Sequence, residues 1–178
     1  MDSESTLPQT VFQLTPQPLT REAFAPFGDV IETEGRDHFT INDGYAERFH
    51  NLADVDLTEA DGKPLISIFR ARPRPRPIQV EMMERHPLSS QAFIPLSSQP
   101  FLVLVAPAGE VPSQENLTLF RTNGRQGVNF ARGVWHFPLL VEQENQEFLI
   151  VDRGAPAANP GEKNCDLFYF DGARGEIA

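Results

Sequence analysis

The feature that most constrains this chain is a series of short apolar segments, each bounded by proline, glycine or another turn-forming residue. Segments of this length at regular spacing are typical of β-sandwiches and β-barrels, whereas a helical bundle needs longer periodic stretches. Sixteen prolines and twelve glycines also disfavour a bundle. The pattern therefore predicts an all-β fold of about ten strands. The predicted strands are DVIE (29–32), HFTIN (38–42), LISIFRA (65–71), IQVEMME (78–84), QAFIPL (91–96), FLVLVAPA (101–108), VNF (128–130), WHFPLLV (135–141), EFLIVD (147–152) and DLFYF (166–170).

The chain has no internal repeat and no linker long enough to divide it. We expect a flexible N-terminal lead over residues 1–14 and a single domain over residues 15–178. A short helix is predicted after Thr20, which can cap it, and Pro26 should end it. A second short helix could begin at Ser113.

Composition excludes several classes of protein. Fifteen basic against 25 acidic residues give a net charge of −10 and a pI near 4.8, which disfavours a nucleic-acid-binding surface. The single Cys165 excludes an internal disulfide and a cysteine-rich zinc site. No apolar run is long enough for a membrane span, and the polar start MDSESTLPQT lacks signal-peptide features. We therefore expect a cytoplasmic protein.

An unusual segment alternates arginine with proline or alanine from Arg70 to Pro77. Its prolines exclude a central strand and favour an extended connector. A solvated connector is the favoured interpretation, and a surface facing an anion or a partner protein is the alternative. Arg70 differs from its neighbours because it ends an apolar strand and could point into the fold.

Two histidines lie in segments that a β-barrel could bring together. His86 follows Glu84 by two residues, on the same strand face, and precedes Gln91 across a turn, while His136 begins a later strand. Two imidazoles, a carboxylate and an amide oxygen could bind a divalent metal ion. Without a metal, the same cluster could supply a general acid and a general base.

These two segments, ERHPLSSQAFIPL and GVWHFPL, resemble altered forms of the two cupin motifs. His86 and His136 match motif histidines, whereas Glu84 stands in place of the first histidine and Gln91 in place of the glutamate. A more specific resemblance, from about Leu19 to Asp166, is to the ureidoglycolate lyase family. The stretches that carry it are AFAPFGDVIE, INDGYAERFHNLA, LISIFRA, ERHPLSSQAFIPL, TNGRQGVNF, GVWHFPL, FLIVDRG and NCD.

The resemblance implies a cupin-type β-barrel, a double-stranded β-helix of jelly-roll type, with one or two short helices. It implies a homodimer that acts on a small molecule, converting (S)-ureidoglycolate into glyoxylate and urea in allantoin degradation, a part of purine metabolism. It also implies a divalent metal ion, because the family is associated with a metal such as nickel.

Ureidoglycolate is a carbinolamide, so breaking its C–N bond requires one base and one acid. We expect His86, His136 and Glu84 to transfer these protons, either directly or as ligands of a metal ion together with Gln91.

The substrate also carries a carboxylate, which an arginine can bind through two hydrogen bonds. Arg70 and Arg48 are the candidates for this role. Gln91 and Asn129 are expected to bind the ureido group.

Two other functions remain open from the residues alone. One is another metal-dependent cupin enzyme acting on a small carboxylate, and the other is a cupin that binds a small acid without catalysis. No G-x-S-x-G, Walker A or Rossmann glycine motif is present to suggest a different chemistry.

Overall fold

The computed structural model describes residues 10–178, which form β-strands with very little helix, as predicted. The only α-helix among these residues, α1, spans Arg21–Phe24, and two 3₁₀ turns span Asn42–Gly44 and Glu59–Asp61. No helix in this part of the chain is long and apolar enough to cross a bilayer. The strands are β1 (Thr10–Gln13), β2 (Gln17–Pro18), β3 (Gly28–Ile31), β4 (Phe39–Ile41), β5 (Ala46–Arg48), β6 (Lys63–Ala71), β7 (Ile78–Val80), β8 (Met82–Arg85), β9 (Gln91–Pro95), β10 (Phe101–Ala106), β11 (Thr118–Arg121), β12 (Gly127–Phe130), β13 (Trp135–His136), β14 (Leu140–Val141), β15 (Gln146–Gly154), β16 (Asp166–Tyr169) and β17 (Ala173–Ile177).

Two larger sheets carry most of the fold. One has the order β3-β12-β9-β15-β6, and the other has the order β16-β8-β13-β10-β11-β2, with β14 also paired to β10. Their inner faces pack together, as shown by Phe101 of β10 and Phe148 of β15, whose rings lie 4.9 Å apart. This two-sheet arrangement is consistent with the expected cupin-type architecture.

Strand β10 is apolar at every position because it is covered on both faces. Phe101, Val103 and Val105 join the core between the two larger sheets. The alternating residues Leu102 and Leu104 pack instead with residues of a third sheet, whose order is β1-β17-β7. A strand buried on both faces has no polar alternation, which is the pattern of FLVLVA.

Two predicted segments are each divided in the structure. The segment at 78–84 is interrupted at Glu81 between β7 and β8, and the segment at 135–141 is interrupted around Pro138 between β13 and β14. Proline has no N–H to donate, so the ladder with β10 cannot run through it.

The second predicted helix is wrong. The backbone carbonyl of Ser113 accepts from the N–H groups of Asn116 and Leu117, but the chain makes only this single turn. The side chain of Asn116 also accepts from the Ser113 N–H, and this local bond stabilises a turn in place of a helix.

The expected boundary between a flexible lead and the domain at residue 14 also needs correction. Residues 1–9 lie outside the described residues, but residues 10–13 form β1, which pairs in parallel with β17. Phe12 is buried by this pairing. The sheet partner lies at the far end of the chain, so local sequence gave no sign of the strand.

The predicted cap of α1 is confirmed, because Thr20 Oγ1 accepts from the Ala23 N–H at 3.2 Å. We expect Thr20→Ala to lower the free energy of unfolding by about 1 kcal/mol, since an orphan N–H of the helix loses its partner. Urea denaturation measures this change, and Thr20→Ser, which keeps the hydroxyl, is the matched control. Equal midpoints for Thr20→Ala and wild type would show that the cap is dispensable.

Candidate active site

The sheet register brings Glu84 and His136 together. They are directly opposed on the antiparallel strands β8 and β13, and His86 follows Glu84 by two residues on the same side. Ligand-type atoms of Glu84, His86 and His136 all lie within 4.8 Å of one another. Gln91, at the start of β9, completes the cluster through its Oε1, 3.0 Å from His86 Nε2. These are the four residues that the two motif-like segments predicted.

Both histidines have a defined proton position. His86 Nδ1 lies 2.6 Å from the Asn164 carbonyl oxygen, and His136 Nδ1 lies 3.2 Å from the Val134 carbonyl oxygen. A carbonyl can only accept, so each Nδ1 carries a proton. The neutral ring of His136 then presents a lone pair at Nε2. His86 Nε2 lies against the Gln91 amide oxygen, which is also an acceptor, so its lone pair is available to a metal ion only when this nitrogen carries no proton.

The remaining atoms of the cluster are acceptors as well. His136 Nε2 lies 3.5 Å from Glu84 Oε1 and, although buried, has no hydrogen-bond partner among the described residues. Gln91 Nε2 is directed towards Asp152 Oδ2 at 3.5 Å, which leaves its Oε1 facing His86. Acceptor atoms that face one another without a proton between them repel, and a bound cation would stabilise them.

Burial and neighbouring charges set the ionisation of this cluster. Burial lowers the pKa of His136, although the Glu84 carboxylate opposes this effect. Burial by itself raises the pKa of Glu84, but His136, His86 and Arg74 together outweigh it and lower that pKa below its ordinary value. At neutral pH the cluster therefore contains a neutral His136 and an ionised Glu84.

The donor set fits a divalent metal ion. Two imidazole nitrogens and one carboxylate are a recurring ligand set for catalytic zinc and for non-haem iron, and they leave positions open for water or substrate. The backbone carbonyls that hold each Nδ1–H provide the outer hydrogen bonds that metal-binding histidines require. The four cluster residues could hold such an ion without rearrangement of the strands.

The cluster forms the polar end of a cavity of about 560 Å³ between the two larger sheets. The opposite walls are apolar, with Phe69, Phe93 and Phe130 among them. Phe130 also stacks on the His136 ring, with centroids 4.3 Å apart and planes 6° from parallel. A small polar substrate in this cavity would contact the cluster and the aromatic walls next to it.

The arginines proposed for the substrate carboxylate lie in different places. Arg70 lines the cavity, but its side chain is two-thirds exposed, and its Nη2 forms an ion pair with Glu147 Oε1 at 2.7 Å. Arg48 lies on β5, is exposed, and is not among the residues that line the cavity.

Asn129 also lies outside the cavity, in contrast to the sequence-based expectation. Its neighbours Val128 and Phe130 line the cavity, so alternation along β12 directs Asn129 to the other face. There its Nδ2 donates to Asp29 Oδ2 and to the Asp54 carbonyl. Asn129 holds the segment after β5 against the sheet and does not contact a ligand in the cavity.

Sequence reasoning missed two residues that shape the site. Asn164 fixes His86 through its backbone carbonyl, and its side chain accepts from the Leu88 N–H and donates to Ser89. Arg74 places its guanidinium 5.0 Å from the ring centroid of Phe137, a cavity-lining residue. The segment NCD drew attention to Asn164, but only the tertiary contact shows its role.

Most of the sequence is similar to that of known proteins. The profile of a family described as ureidoglycolate lyase matches residues 11–174, which include every residue of the cluster. The chain belongs to the ureidoglycolate lyase family. The match begins before Leu19 and ends after Asp166, so it covers more of the chain than the resemblance found from the motifs.

Individual members of the ureidoglycolate lyase family agree with this assignment. A protein named ureidoglycolate lyase from Pseudomonas syringae pv. syringae (strain B728a) is 55% identical over 154 residues, which are 86% of this chain and 88% of that protein. The protein of the same name from Pseudomonas syringae pv. tomato (strain ATCC BAA-871 / DC3000) is 54% identical over 158 residues, 89% of this chain and 90% of that protein. The one from Pseudomonas putida (strain W619) is 55% identical over 154 residues, 86% of this chain and 89% of that protein.

Proposed function

We propose that this chain is a ureidoglycolate lyase that cleaves (S)-ureidoglycolate into glyoxylate and urea in allantoin degradation, and so serves purine catabolism. The observation that carries the proposal is the cluster of Glu84, His86 and His136, whose metal-binding atoms lie within 4.8 Å of one another at the polar end of the cavity. Membership of the family supports the choice of substrate, because a relative named ureidoglycolate lyase is 55% identical over 86% of this chain.

The reaction needs no water and no redox partner. The hydroxyl proton of the carbinolamide leaves, the oxygen electrons form the aldehyde C=O bond, and the C–N bond breaks with its electron pair on nitrogen. That nitrogen then takes up a proton and departs as urea. The aromatic walls that include Phe69, Phe93 and Phe130 offer no group that would activate a water molecule for hydrolysis.

Within this scheme Glu84 is the acid–base residue. It is the carboxylate among the residues lining the cavity, and it is ionised, so it can take the hydroxyl proton and return it to the departing nitrogen. The Nδ1–H bonds of His86 and His136 to backbone carbonyls fix both rings, and in this proposal each Nε2 acts on the reacting oxygen. The Gln91 amide binds the ureido group.

The proposal includes a divalent metal ion held by Glu84, His86 and His136, with Gln91 as a further candidate ligand. Such an ion would polarise the substrate hydroxyl and make its proton easier to remove. Nickel is the ion that the family resemblance suggests. The proposal also places the enzyme in the cytoplasm as a homodimer, consistent with a chain whose single cysteine is free.

Enantiomer-resolved turnover tests the proposed substrate. Purified protein is incubated with racemic ureidoglycolate, with and without added Ni²⁺, and the two enantiomers are followed by chiral chromatography. We expect the (S) enantiomer to disappear and the (R) enantiomer to remain at the level of an enzyme-free control. Decay of both enantiomers at the control rate under every metal condition would remove the proposed activity.

A further inference from the structure

One part of the fold is not packed against the rest of the chain. Strands β4 and β5 form a two-stranded hairpin that pairs with neither of the larger sheets. No residue from 33 to 51, all of which the structure describes, is buried. Tyr45 at its tip is 92% exposed and Phe39 is 50% exposed. A lone two-stranded hairpin is marginally stable in water, so this one needs a surface to pack against.

A second surface of the same chain is also uncovered. Strand β6 is an edge strand that, among the strands of residues 10–178, pairs only with β15. Four apolar side chains are exposed along it, and Ile66 is the most exposed at 75%. A long, exposed, apolar edge strand is prone to pair with another chain, and such a patch marks an interaction site. The other three residues are Leu65, Ile68 and Phe69.

The uncovered edge is also the mouth of the cavity. Ile68, Phe69 and Arg70 lie on β6, line the cavity and are exposed. Whatever covers β6 therefore closes the cavity and contacts a bound substrate.

The hairpin of the same chain is badly placed to do so. It follows β3, and the Asp54 N–H after it donates to Asp29 Oδ2 of β3 at 2.9 Å, so both ends of the hairpin segment are held at the β3 edge. β3 and β6 are the two opposite edges of the five-stranded sheet. Four strand spacings, about 19 Å, separate these edges. A second copy of the chain has no such restriction, and a two-fold axis would let each hairpin cover the β6 edge of the other copy.

The hairpin also carries a cation that is free to bind an anion. Arg70, at the rim of the cavity, is already paired with Glu147 at 2.7 Å and is not free to bind a substrate carboxylate. Arg48 is exposed on the hairpin and has no ion-pair or hydrogen-bond partner among the described residues. Its position on β5 opposite Phe39 puts the cation beside the aromatic group that would pack on the apolar edge.

We propose that the hairpin of one copy packs against β6 of a second copy and supplies Arg48 to the cavity of that copy, where it binds the substrate carboxylate. The inference rests on the proposed function, because that function defines the carboxylate. It goes further in making each active site depend on two chains, with Arg48 as a substrate-binding residue from the partner.

A heterodimer with one lesion in each chain tests this arrangement. Chains carrying Arg48→Ala and His136→Ala are co-expressed with different affinity tags, and the mixed dimer is isolated by two successive purifications. If Arg48 acts on the partner's cavity, one of the two sites in the mixed dimer has both residues intact. We then expect about half the wild-type activity per dimer, while each variant homodimer is nearly inactive.

Several results would overturn the proposal. A mixed dimer as inactive as its two parents would place Arg48 in its own chain's site. An Arg48→Ala homodimer with unchanged KM, or a loss caused by Arg74→Ala instead, would remove Arg48 from the site. A wild-type protein that is monomeric by light scattering at assay concentration while fully active would exclude the arrangement. A wild-type protein with no turnover is a different result, because it overturns the proposed function itself.

A second variant separates docking from substrate binding. Ile66→Lys places a charge on the β6 edge, and we expect it to shift the protein from dimer to monomer in light scattering and to raise KM. Arg48→Lys keeps the charge but loses the paired hydrogen bonds, so its KM should lie between those of wild type and Arg48→Ala. Ile66→Lys that remains dimeric with wild-type KM would show that β6 is not the docking edge.

Discussion

His136→Ala is expected to lose about 10²–10⁴-fold in kcat/KM for ureidoglycolate, because His136 faces the acid–base residue Glu84 and the loss of proton transfer costs a factor of this size. His136 is buried, its Nε2 faces Glu84, and its Nδ1–H is fixed by the Val134 carbonyl. Alanine would remove the donor atom and leave a cavity beneath Phe130, so both chemistry and packing are affected. Initial rates of glyoxylate formation measure the loss.

Two further variants keep this prediction interpretable. His136→Asn retains a polar group of smaller volume, and we expect it to fold with a thermal midpoint closer to wild type while remaining nearly inactive. Arg121→Ala removes an exposed ion pair with Glu142 and should leave kcat/KM unchanged. Full activity in a folded His136→Ala protein would exclude His136 from the reaction.

The second large effect concerns metal binding. Wild-type protein should bind about one divalent ion per chain, because metal-binding atoms of Glu84, His86 and His136 lie within 4.8 Å of one another. Replacing two of them, in Glu84→Gln with His86→Ala, should weaken binding by more than the roughly 10–100-fold that outer-shell changes cost. Equilibrium dialysis against Ni²⁺ followed by elemental analysis measures this difference.

Thermal unfolding provides a readout independent of activity. An ion that binds only the folded state raises the midpoint, and the stabilisation grows with the logarithm of the ratio of its concentration to its Kd. We expect added Ni²⁺ to raise the midpoint of wild type and not that of the double variant. Equal metal content and equal midpoint shifts in both proteins would place the ion elsewhere.

Much of the fold was accessible from the sequence because turn residues bound the strands so regularly. Every predicted strand overlaps a strand of the structure, and the motif-like segments gave the residues of the cluster. Glu84 and His86 share a face by simple alternation. Their proximity to His136 followed from the resemblance to cupins and required no knowledge of strand register.

The features that were missed depend on contacts between distant parts of the chain. The first strand, β1, is defined by its pairing with β17, and the ion pair of Arg70 with Glu147 depends on the register of β6 with β15. The expectation that Asn129 binds the ureido group was wrong. Apolar residues flank Asn129 on both sides, so the sequence does not reveal which face of β12 lines the cavity. The β4–β5 hairpin is exposed because it pairs with neither of the larger sheets, and a local sequence pattern does not show the absence of a tertiary contact.

The stoichiometry of products is the most direct test of the central claim that the cluster catalyses elimination. Urea, glyoxylate and ammonia are quantified together after complete turnover of (S)-ureidoglycolate by the metal-loaded protein, with Arg121→Ala and His136→Ala assayed in parallel. The account predicts equal amounts of urea and glyoxylate, no ammonia, and product formation by Arg121→Ala but not by His136→Ala. Ammonia released in step with glyoxylate would instead show hydrolysis of the ureido group and would contradict the lyase mechanism.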